Sequence, residues 1–370
     1  MKKVVIVSNF FNVNSRPYLA WKYFQDKKMD IELYTANFDH YTKKLIDKKL
    51  KGIKYIDVPR YSTNISLKRI YSHIIFSIKM IKILKNKEID ILYINMPPNI
   101  LGYLLIKYIK ANKKILDVID LWPEALPIPK LMKRGLSPIF YFWKKIRKIA
   151  ISNSDVVLTH TNKFYEHLNL KKEAKNSEII YLKKIKNNFL ELKYRENLKI
   201  VYVGNISHIY DFDSLVYLLK NMNATLEIIG DGPYREELIN ILNKEQINYN
   251  YHGIIFNETK KAKIIEECQF GYNGYKENTE VSMSYKSIDY FSYGLPVINS
   301  ANGDTWNLVE SKKLGYNFQN KNLEGLIKKI NQLDEMEYFI LNSNIKKIFI
   351  ECFSYESFIN EMDEIVKKLK

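Results

Sequence analysis

The stretch VYVGNISHIYDFDSLVYLL, residues 201–219, decides the fold of this chain. It opens with a short run of apolar and β-branched residues, turns at Gly204 and continues with the apolar spacing of a helix. A buried strand that passes through a glycine turn directly into a helix is the repeating step of a doubly wound α/β sheet. Further strands of the same kind are therefore expected on both sides of residue 201.

Short apolar runs alternate with helical patterns on both sides of this stretch. The strands predicted in the first half are Lys3–Ser8, Ile31–Ala36, Tyr55–Val58, Ile89–Asn95, Lys114–Ile119 and Val156–His160. Those predicted in the second half are Lys199–Val203, Thr225–Ile229, Tyr249–His252, Phe270–Asn273 and Pro296–Asn299. Continuous apolar strands separated by helices indicate a parallel sheet that is covered on both faces. The pattern predicts an α/β protein with two Rossmann-like, doubly wound domains.

A polar, lysine-rich stretch from Lys171 to Tyr194 separates the two series of strands. We place the domain boundary there, with an N-terminal Rossmann-like domain at 1–190 and a C-terminal one at 191–345. Residues 346–370 are predicted to form a closing helical segment. A chain of 370 residues suits two domains, since one domain usually has about 100–200 residues.

Charge is distributed unevenly along the chain. The net charge is +17, and residues 1–150 hold 30 Lys and Arg against 11 Asp and Glu. Such asymmetry predicts an anionic partner for the first half, which could be phospholipid headgroups, a polyprenyl diphosphate or nucleic acid. The chain shows no helix-turn-helix, RNP or zinc motif, so we expect no nucleic acid partner. Its two cysteines, Cys268 and Cys352, predict neither a disulfide framework nor a zinc site.

The turn after the strand at 199–203 is the first candidate for ligand binding. Gly204 allows a ligand to approach the backbone, and the amides around Asn205 and Ser207 precede a helix N-terminus that suits a diphosphate. The alternative is an ordinary turn between strand and helix. The aspartates at 211 and 213 resemble a metal-binding pair, but helix capping explains them better, and no metal site is predicted.

The densest signal is GYNGYKENTEVSMSYKSIDYFSYGLPVINS, residues 271–300. Lys286 and Asp289 are three residues apart near the start of a predicted helix, where the helix dipole favours anions. Lysine suits a phosphate and aspartate suits ribose hydroxyls. The alternative is a salt bridge between these two residues on the protein surface.

In the first domain, KKILDVIDLWPEALP at residues 113–127 brings acidic side chains to the end of a strand. Asp120 and Glu124 are the catalytic candidates, and Trp122 between them is a candidate contact to the acceptor. Packing of the strand end by the Trp-Pro pair is the alternative interpretation.

The segment KLMKRGLSPIFYFWKKIRK, residues 130–148, combines basic and aromatic residues on a predicted amphipathic helix. This composition is typical of helices that lie on anionic membranes. Together with Trp122, the predicted acceptor or membrane contacts are Arg134, Trp143, Lys144, Lys145 and Arg147. A solvated helix with a buried aromatic stripe is the alternative. The basic stretch from Ser66 to Lys87 could extend the same surface or form a simple crossover helix.

The motifs DLWPE, GNIS, GDGP and SxKxxDYxxxGxPVI, in that order, resemble those of retaining glycosyltransferase family 4. The resemblance covers nearly the whole chain and is strongest to the branch that builds O-antigen, capsule and exopolysaccharide, including the L-fucosaminyltransferase-like proteins. It implies the GT-B architecture, in which two Rossmann-like domains face a central cleft and a C-terminal helix crosses back to the N-terminal domain.

The same resemblance implies that the C-terminal domain holds the nucleotide sugar. Asp289 matches the position that meets the ribose, where the family usually has glutamate. The family's second glutamate falls on Val281, and Glu280 is displaced from it by one residue. The family's arginine and lysine after the first glycine turn correspond here to Asn205 and Tyr210, so Lys286 is the candidate for the missing positive charge.

For the first domain, the resemblance implies that Asp120 occupies a position where the family often has histidine. Glu124 is the nearby substitute.

These expectations together describe a hexosyl- or N-acetylhexosaminyl-transferase. It would move a sugar from a UDP- or GDP-linked donor to a polyprenyl-diphosphate-linked saccharide, with retention of configuration and without metal or cofactor. Its place would be the cytoplasmic face of a bacterial plasma membrane, as a peripheral protein bound to the anionic surface. The alternatives are a nucleotide-sugar 2-epimerase of the same architecture and a non-catalytic nucleic-acid-binding protein.

Overall fold

The computed structural model describes residues 2–13, 15–47, 49–126, 134–194, 197–319 and 322–369. The chain divides into two compact units, and each is an α/β assembly with its own parallel sheet. The first unit contains Met1–Tyr181 together with Phe358–Lys370, and the second contains Leu182–Ser357. The predicted α/β fold class is confirmed.

The first unit is built on a parallel sheet. Among the described residues its strands follow the order β3-β2-β1-β4-β5-β6-β7. The strands are β1 Lys3–Ser8, β2 Asp30–Ala36, β3 Ile53–Ile56, β4 Ile91–Met96, β5 Lys113–Val118, β6 Val156–Thr159 and β7 Ser177–Ile179. The helices are α1 Arg16–Asp26, α2 Leu67–Leu84, α3 Asn99–Tyr108, α4 Ser137–Ser152, α5 Asn162–His167 and α6 Leu170–Glu173.

The sheet of the first unit is apolar through its centre because both faces are covered. Every residue of β4 is buried, and so is every residue of β6. This accounts for their continuous apolar runs, which are typical of central strands in parallel sheets.

A buried polar network also crosses the first unit. The Arg16 guanidinium, on the first turn of α1, donates to the Asp117 carboxylate on β5 at 2.6 Å and to the Ile180 carbonyl oxygen after β7. Asp117 also accepts hydrogen bonds from the Tyr93 hydroxyl at 2.7 Å and the Asn95 amide at 3.0 Å. A buried carboxylate is stable only when it is paired and hydrogen-bonded in this way.

The second unit repeats the arrangement. Within the described residues its parallel strands follow the order β10-β9-β8-β11-β12-β13. The strands are β8 Lys199–Val203, β9 Thr225–Ile229, β10 Tyr249–Tyr251, β11 Phe270–Asn273, β12 Val297–Asn299 and β13 Gly315–Asn317. The helices are α7 Phe212–Asn221, α8 Arg235–Lys244, α9 Glu258–Ile265, α10 Tyr285–Tyr293, α11 Asp304–Lys312, α12 Leu323–Asn331 and α13 Glu335–Cys352. A last helix, α14 Tyr355–Lys368, follows.

Two short strands, β7 and β13, were not predicted from the sequence. Each has three residues of intermediate burial at one end of a sheet, so neither shows the apolar run that marks the central strands. The strand β7 lies inside the polar stretch that we had interpreted as a connection between domains.

The division between the units falls after Tyr181 rather than near residue 190. Residues that follow Tyr181 belong to the second unit because their backbone bonds to it: the Lys184 amide donates to the Phe353 carbonyl at 2.8 Å, and the Asn188 amide to the Ser292 carbonyl at 2.8 Å. Such bonds leave no sequence pattern, because either partner can be any residue.

The C-terminal segment also differs from the predicted 346–370. Residues 346–352 continue α13 in the second unit, and the return to the first unit begins at Phe358. Within the first unit, Asp363 of α14 accepts a hydrogen bond from the Tyr23 hydroxyl at 2.7 Å and pairs with Lys27. No described helix is long and apolar enough to span a membrane.

Candidate functional site

The glycine turn after β8 is locked against the turn after β9. The Gly204 amide donates to the Ile229 carbonyl at 2.9 Å, and the Ile206 amide donates to the Asp231 carbonyl at 2.9 Å. A side chain on Gly230, whose φ is +145°, would overlap the carbonyl oxygen of Gly204. The GNIS and GDGP motifs are therefore two halves of one backbone structure at the carboxyl ends of neighbouring strands.

Helix α7 begins directly after this turn. Its N-cap is Asp211, whose carboxylate accepts a hydrogen bond from the Ser214 amide at 3.1 Å. The structure thus assigns Asp211 the capping function that the sequence favoured. The described residues contain no group of three His, Cys, Asp or Glu side chains that could hold a metal ion.

Lys286, the second residue of α10, reaches the Gly204 turn. A Cβ built on Gly204 would lie 3.6 Å from the Lys286 Cε atom, so the two predicted residues are brought together. The Lys286 Nζ lies over the ring of Tyr210 at 3.6 Å from its centroid, over Tyr202 at 3.9 Å and near Tyr275 at 5.7 Å. We call these three tyrosines the tyrosine cage.

The ammonium of Lys286 has no hydrogen-bond partner among the described residues, although it is buried. Burial lowers its pKa well below the ordinary value for lysine. Aromatic faces attract a cation, but they do not replace the hydrogen bonds that water would supply. An anionic group bound beside this amine would favour its charged form and supply the missing hydrogen-bond partner.

Asp289, one turn later on α10, does not pair with Lys286. Its carboxylate forms an ion pair with Lys184, which belongs to the same unit and precedes it by 105 residues. Burial lowers the pKa of Lys184 to about 8; the nearby charge of Lys261 adds to this effect and that of Glu258 opposes it. The i,i+3 salt bridge that we considered as an alternative does not form.

The other residues predicted to bind the donor are less enclosed. Asn205 and Glu280 are exposed, and Ser207 is half-buried after the turn. The tyrosine cage was not predicted from the sequence, except that Tyr210 stands where the family that the sequence resembles often has lysine. The chain contains 28 tyrosines, so composition alone could not select these three.

In the first unit, Asp120 follows β5 and is held by its own neighbours. Its carboxylate accepts hydrogen bonds from the Leu121 amide at 2.8 Å and from the Trp122 indole at 2.9 Å. Burial raises the pKa of Asp120, and these bonds together with the charge of Arg69 offset that effect only in part. Trp122 itself is buried, so the side chain packs the strand end.

Glu124 forms an ion-pair cluster with residues of α4 and α5. Its two oxygens each accept from the Arg147 guanidinium at 2.8 Å, and Lys144 and His167 lie at 3.5 and 3.3 Å. Arg147 also donates to the Trp122 carbonyl at 2.7 Å. Arg147 is therefore turned inward and buried, which does not suit the headgroup contact that we expected of it. These bonds favour a structural role for Glu124.

This cluster predicts a pH-dependent stability. Burial alone would raise the pKa of Glu124, but Arg147 outweighs it and lowers the pKa from 4.5 to about 2. The stabilisation is therefore fully present above about pH 4.5 and is lost as the pH falls towards 2. We expect Glu124→Gln to reduce the free energy of unfolding by about 2–3 kcal/mol at pH 7, and by less at pH 3.5.

Peptide-resolved hydrogen exchange of the first unit at the two pH values measures this difference, because the two units do not unfold in a single step. Glu245→Gln, which removes an exposed pairing with Lys220, is the matched control and should change little. An equal loss of stability for Glu124→Gln at both pH values would contradict the assignment.

The predicted membrane helix corresponds to α4 with the residues before it. Arg134, Lys144 and Lys145 are exposed, and Trp143 is half-buried. The beginning of the basic segment, residues 130–133, lies outside the described residues. The structure therefore keeps three of the predicted basic contacts on the surface of the first unit.

Comparisons with known proteins show which solved structures share this fold. No family model and no curated protein matches the chain. Among solved structures, sucrose-phosphate synthase from Thermosynechococcus elongatus aligns with a TM-score of 0.70 and 14% identity, over 100% of this chain and 99% of that one. Anabaena HepE in complex with UDP gives 0.71 and 12%, over 99% and 100%.

The lipopolysaccharide outer core galactosyltransferase WaaB is similar as well, with a TM-score of 0.66 and 16% identity over the full length of both chains. These neighbours are GT-B glycosyltransferases. At such low identity the likeness shows the fold alone. The chain has the GT-B fold, and its activity has to be argued from the site.

Proposed function

We propose that the protein is a glycosyltransferase that uses a UDP- or GDP-linked sugar as donor. The observation that carries this proposal is the buried Lys286, without a carboxylate or other hydrogen-bond partner in the described chain, beside the Gly204 turn. In an open α/β sheet, ligands bind at the carboxyl ends of the strands, where this lysine and this turn lie. HepE, a neighbour in fold, has been solved with UDP and with UDP-glucose.

Chemically, the Lys286 ammonium and the turn would neutralise the diphosphate. A sugar–diphosphate bond breaks more easily when the charge that develops on the leaving group is stabilised by preorganised donors. This chemistry needs no cofactor, and we propose that none is used and that a metal is not required. Asp289 would bind the ribose hydroxyls. Its ion pair with Lys184 would either be kept or be replaced by these hydroxyls.

The remaining parts of the proposal concern the reaction outcome and the first unit. Retention of the donor's configuration rests on the resemblance to retaining enzymes. Asp120 is our candidate for contact with the transferred sugar, since its carboxylate is oriented by the Trp122 indole. Glu124 remains a catalytic candidate in this proposal, although both of its carboxylate oxygens accept hydrogen bonds from Arg147.

For the acceptor, we propose a polyprenyl-diphosphate-linked saccharide of bacterial surface polysaccharide biosynthesis. The supporting observations are the excess of basic residues in 1–150 and the exposed Arg134, Lys144 and Lys145. Such residues attract anionic headgroups at about 1 kcal/mol each. The protein would work as a peripheral protein at the cytoplasmic face of the membrane.

The direct test is an assay of UDP- and GDP-sugars with lipid-linked acceptors. We expect one donor to be turned over only when an acceptor is present, and the product's anomeric configuration to equal that of the donor. Conversion of the donor without any acceptor would instead indicate a 2-epimerase. Co-sedimentation with anionic vesicles and with DNA at matched salt tests the membrane surface against nucleic acid.

A further inference from the structure

The first unit contains an apolar cavity that the donor chemistry does not use. It has a volume of about 300 Å³ and lies between α2, α4 and the DLWP segment. Its walls include Ile70, Leu126, Leu136, Ile139 and Phe140. A second cavity of about 100 Å³ shares four lining residues with the first: Ile70, His73, Trp122 and Trp143. Small-molecule sites usually measure about 300–1,000 Å³, so this cavity is large enough for part of a ligand.

One buried cation lines this apolar space. The Arg69 guanidinium lies 4.5 Å from the centre of the Trp122 ring and donates to the Asn64 carbonyl at 2.6 Å. Its Nε atom is buried and has no hydrogen-bond partner. The Tyr61 hydroxyl and the more distant charge of Asp120 act on the guanidinium, which forms no salt bridge with a carboxylate among the described residues. An unpaired buried cation is costly unless a ligand supplies the missing charge.

A neutral imidazole lies beside this cation. His73, also on α2, lines the cavity with an Nε2 atom that is buried and has no partner in the described chain. Burial, and then the charge of Arg69, lower the pKa of His73 to about 3, so it is uncharged at neutral pH. The cavity therefore offers one positive charge and a neutral imidazole nitrogen among hydrocarbon walls.

Large apolar side chains are exposed on the helices that line the cavity. Leu67 is 84% exposed, Ile65 and Ile139 are about half exposed, and the exposed Tyr141 and Phe142 follow on α4. Contiguous apolar patches of this kind mark sites of lipid or protein contact. Lys68, Lys144 and Lys145 are exposed on the same two helices and add positive charge to this part of the unit, although Lys144 also lies 3.5 Å from the Glu124 carboxylate.

These features together indicate which chemical class of ligand the cavity can bind. A saccharide needs hydrogen bonds around its whole rim, which walls of Ile, Leu and Phe do not offer. An anion without hydrocarbon would leave the cavity empty. We propose that the cavity binds the first isoprene units of a polyprenyl diphosphate, with the diphosphate at Arg69. This inference rests on the proposed function, in which that lipid carries the acceptor sugar.

Binding can be measured without catalysis, because Trp122 and Trp143 line the cavity. Titration with farnesyl diphosphate should change the tryptophan fluorescence in a saturable way, and inorganic diphosphate should bind at least about tenfold more weakly. Arg69→Gln should weaken farnesyl diphosphate about tenfold, the cost of one charge-assisted hydrogen bond, and leave farnesol unchanged.

A second variant, at an exposed position, tests the cavity in case Arg69→Gln fails to fold. Ile139→Asp, at the mouth of the cavity, should weaken both farnesyl ligands about tenfold, since a charge at this position opposes burial of hydrocarbon. The matched control is Ile350→Asp on α13, whose side chain is 45% exposed in the second unit. It should bind like the wild-type protein.

The inference would be overturned by equal binding by wild type and Arg69→Gln, by equal binding by wild type and Ile139→Asp, or by inorganic diphosphate as effective as farnesyl diphosphate. Vesicle adsorption without saturable farnesyl diphosphate binding would also overturn it. Farnesyl diphosphate binding without sugar transfer to any lipid-linked acceptor would support this site and contradict the proposed function. Transfer to such acceptors that neither variant impairs would contradict this site alone.

Discussion

Lys286→Met is expected to lower kcat/KM for the nucleotide sugar by about 100-fold or more, which is the usual cost of removing one donor that stabilises the leaving group. Methionine has nearly the length of lysine and can occupy the tyrosine cage without its charge. The buried ammonium has no hydrogen-bond partner in the described chain, so its removal leaves no partner unpaired. We therefore expect the free energy of unfolding to stay unchanged or to rise.

The combination of lost activity and retained stability distinguishes a binding residue from a structural one. Steady-state kinetics with the identified donor, together with thermal unfolding, measures both quantities. Lys260→Met, at an exposed position on α9, is the control and should leave kcat/KM unchanged. If Lys286→Met retained full turnover, the assignment of Lys286 to the diphosphate would be wrong. A large loss of stability would contradict the view that its ammonium is uncompensated.

Arg16→Met is expected to have the largest effect on stability, a loss of about 3–5 kcal/mol. Both side chains of the Arg16–Asp117 ion pair are almost completely buried. Removing the guanidinium would leave the Asp117 carboxylate with only the Tyr93 and Asn95 hydrogen bonds, and would remove the donor to the Ile180 carbonyl. A buried carboxylate without a counter-charge either unfolds the region around it or takes up a proton.

Hydrogen exchange resolved by peptide measures this loss in the first unit separately, because a chain of two units does not unfold in a single step. We expect faster exchange in β5 and β6. Lys22→Met on the same helix is the control, since its pairing with Asp26 is partly exposed to solvent. Equal protection of β5 in Arg16→Met and wild type would show that the pair contributes little.

Much of the fold was predictable because the central strands are buried on both faces. Lys3–Ser8 and Thr225–Ile229 were predicted with the observed bounds, since an apolar run between polar residues is enough to mark such a strand. The edge strands β7 and β13 were not predictable in this way. Their three residues each are only partly buried, so burial did not select a continuous run of apolar side chains.

The candidate site was predictable only in part. Local patterns indicated Gly204 and Lys286, because a glycine turn and a helix start have recognisable neighbours in sequence. The partners of the two acidic candidates, Asp289 and Glu124, were not indicated by any local pattern. Asp289 pairs with Lys184, 105 residues before it, and Glu124 is bound by Arg147, which we had expected on the surface.

The sequence by itself determined the α/β class, the two series of strands and the glycine turns, since these follow from periodic burial and from the backbone freedom of glycine. Only the tertiary structure decided which charges are paired. Among the described residues, Lys286 in the tyrosine cage and Arg69 beside the apolar cavity form no ion pair, whereas Glu124 pairs with Arg147 and Asp117 pairs with Arg16. The free energy of a buried charge depends on neighbours that lie far away along the chain, and no local pattern encodes them.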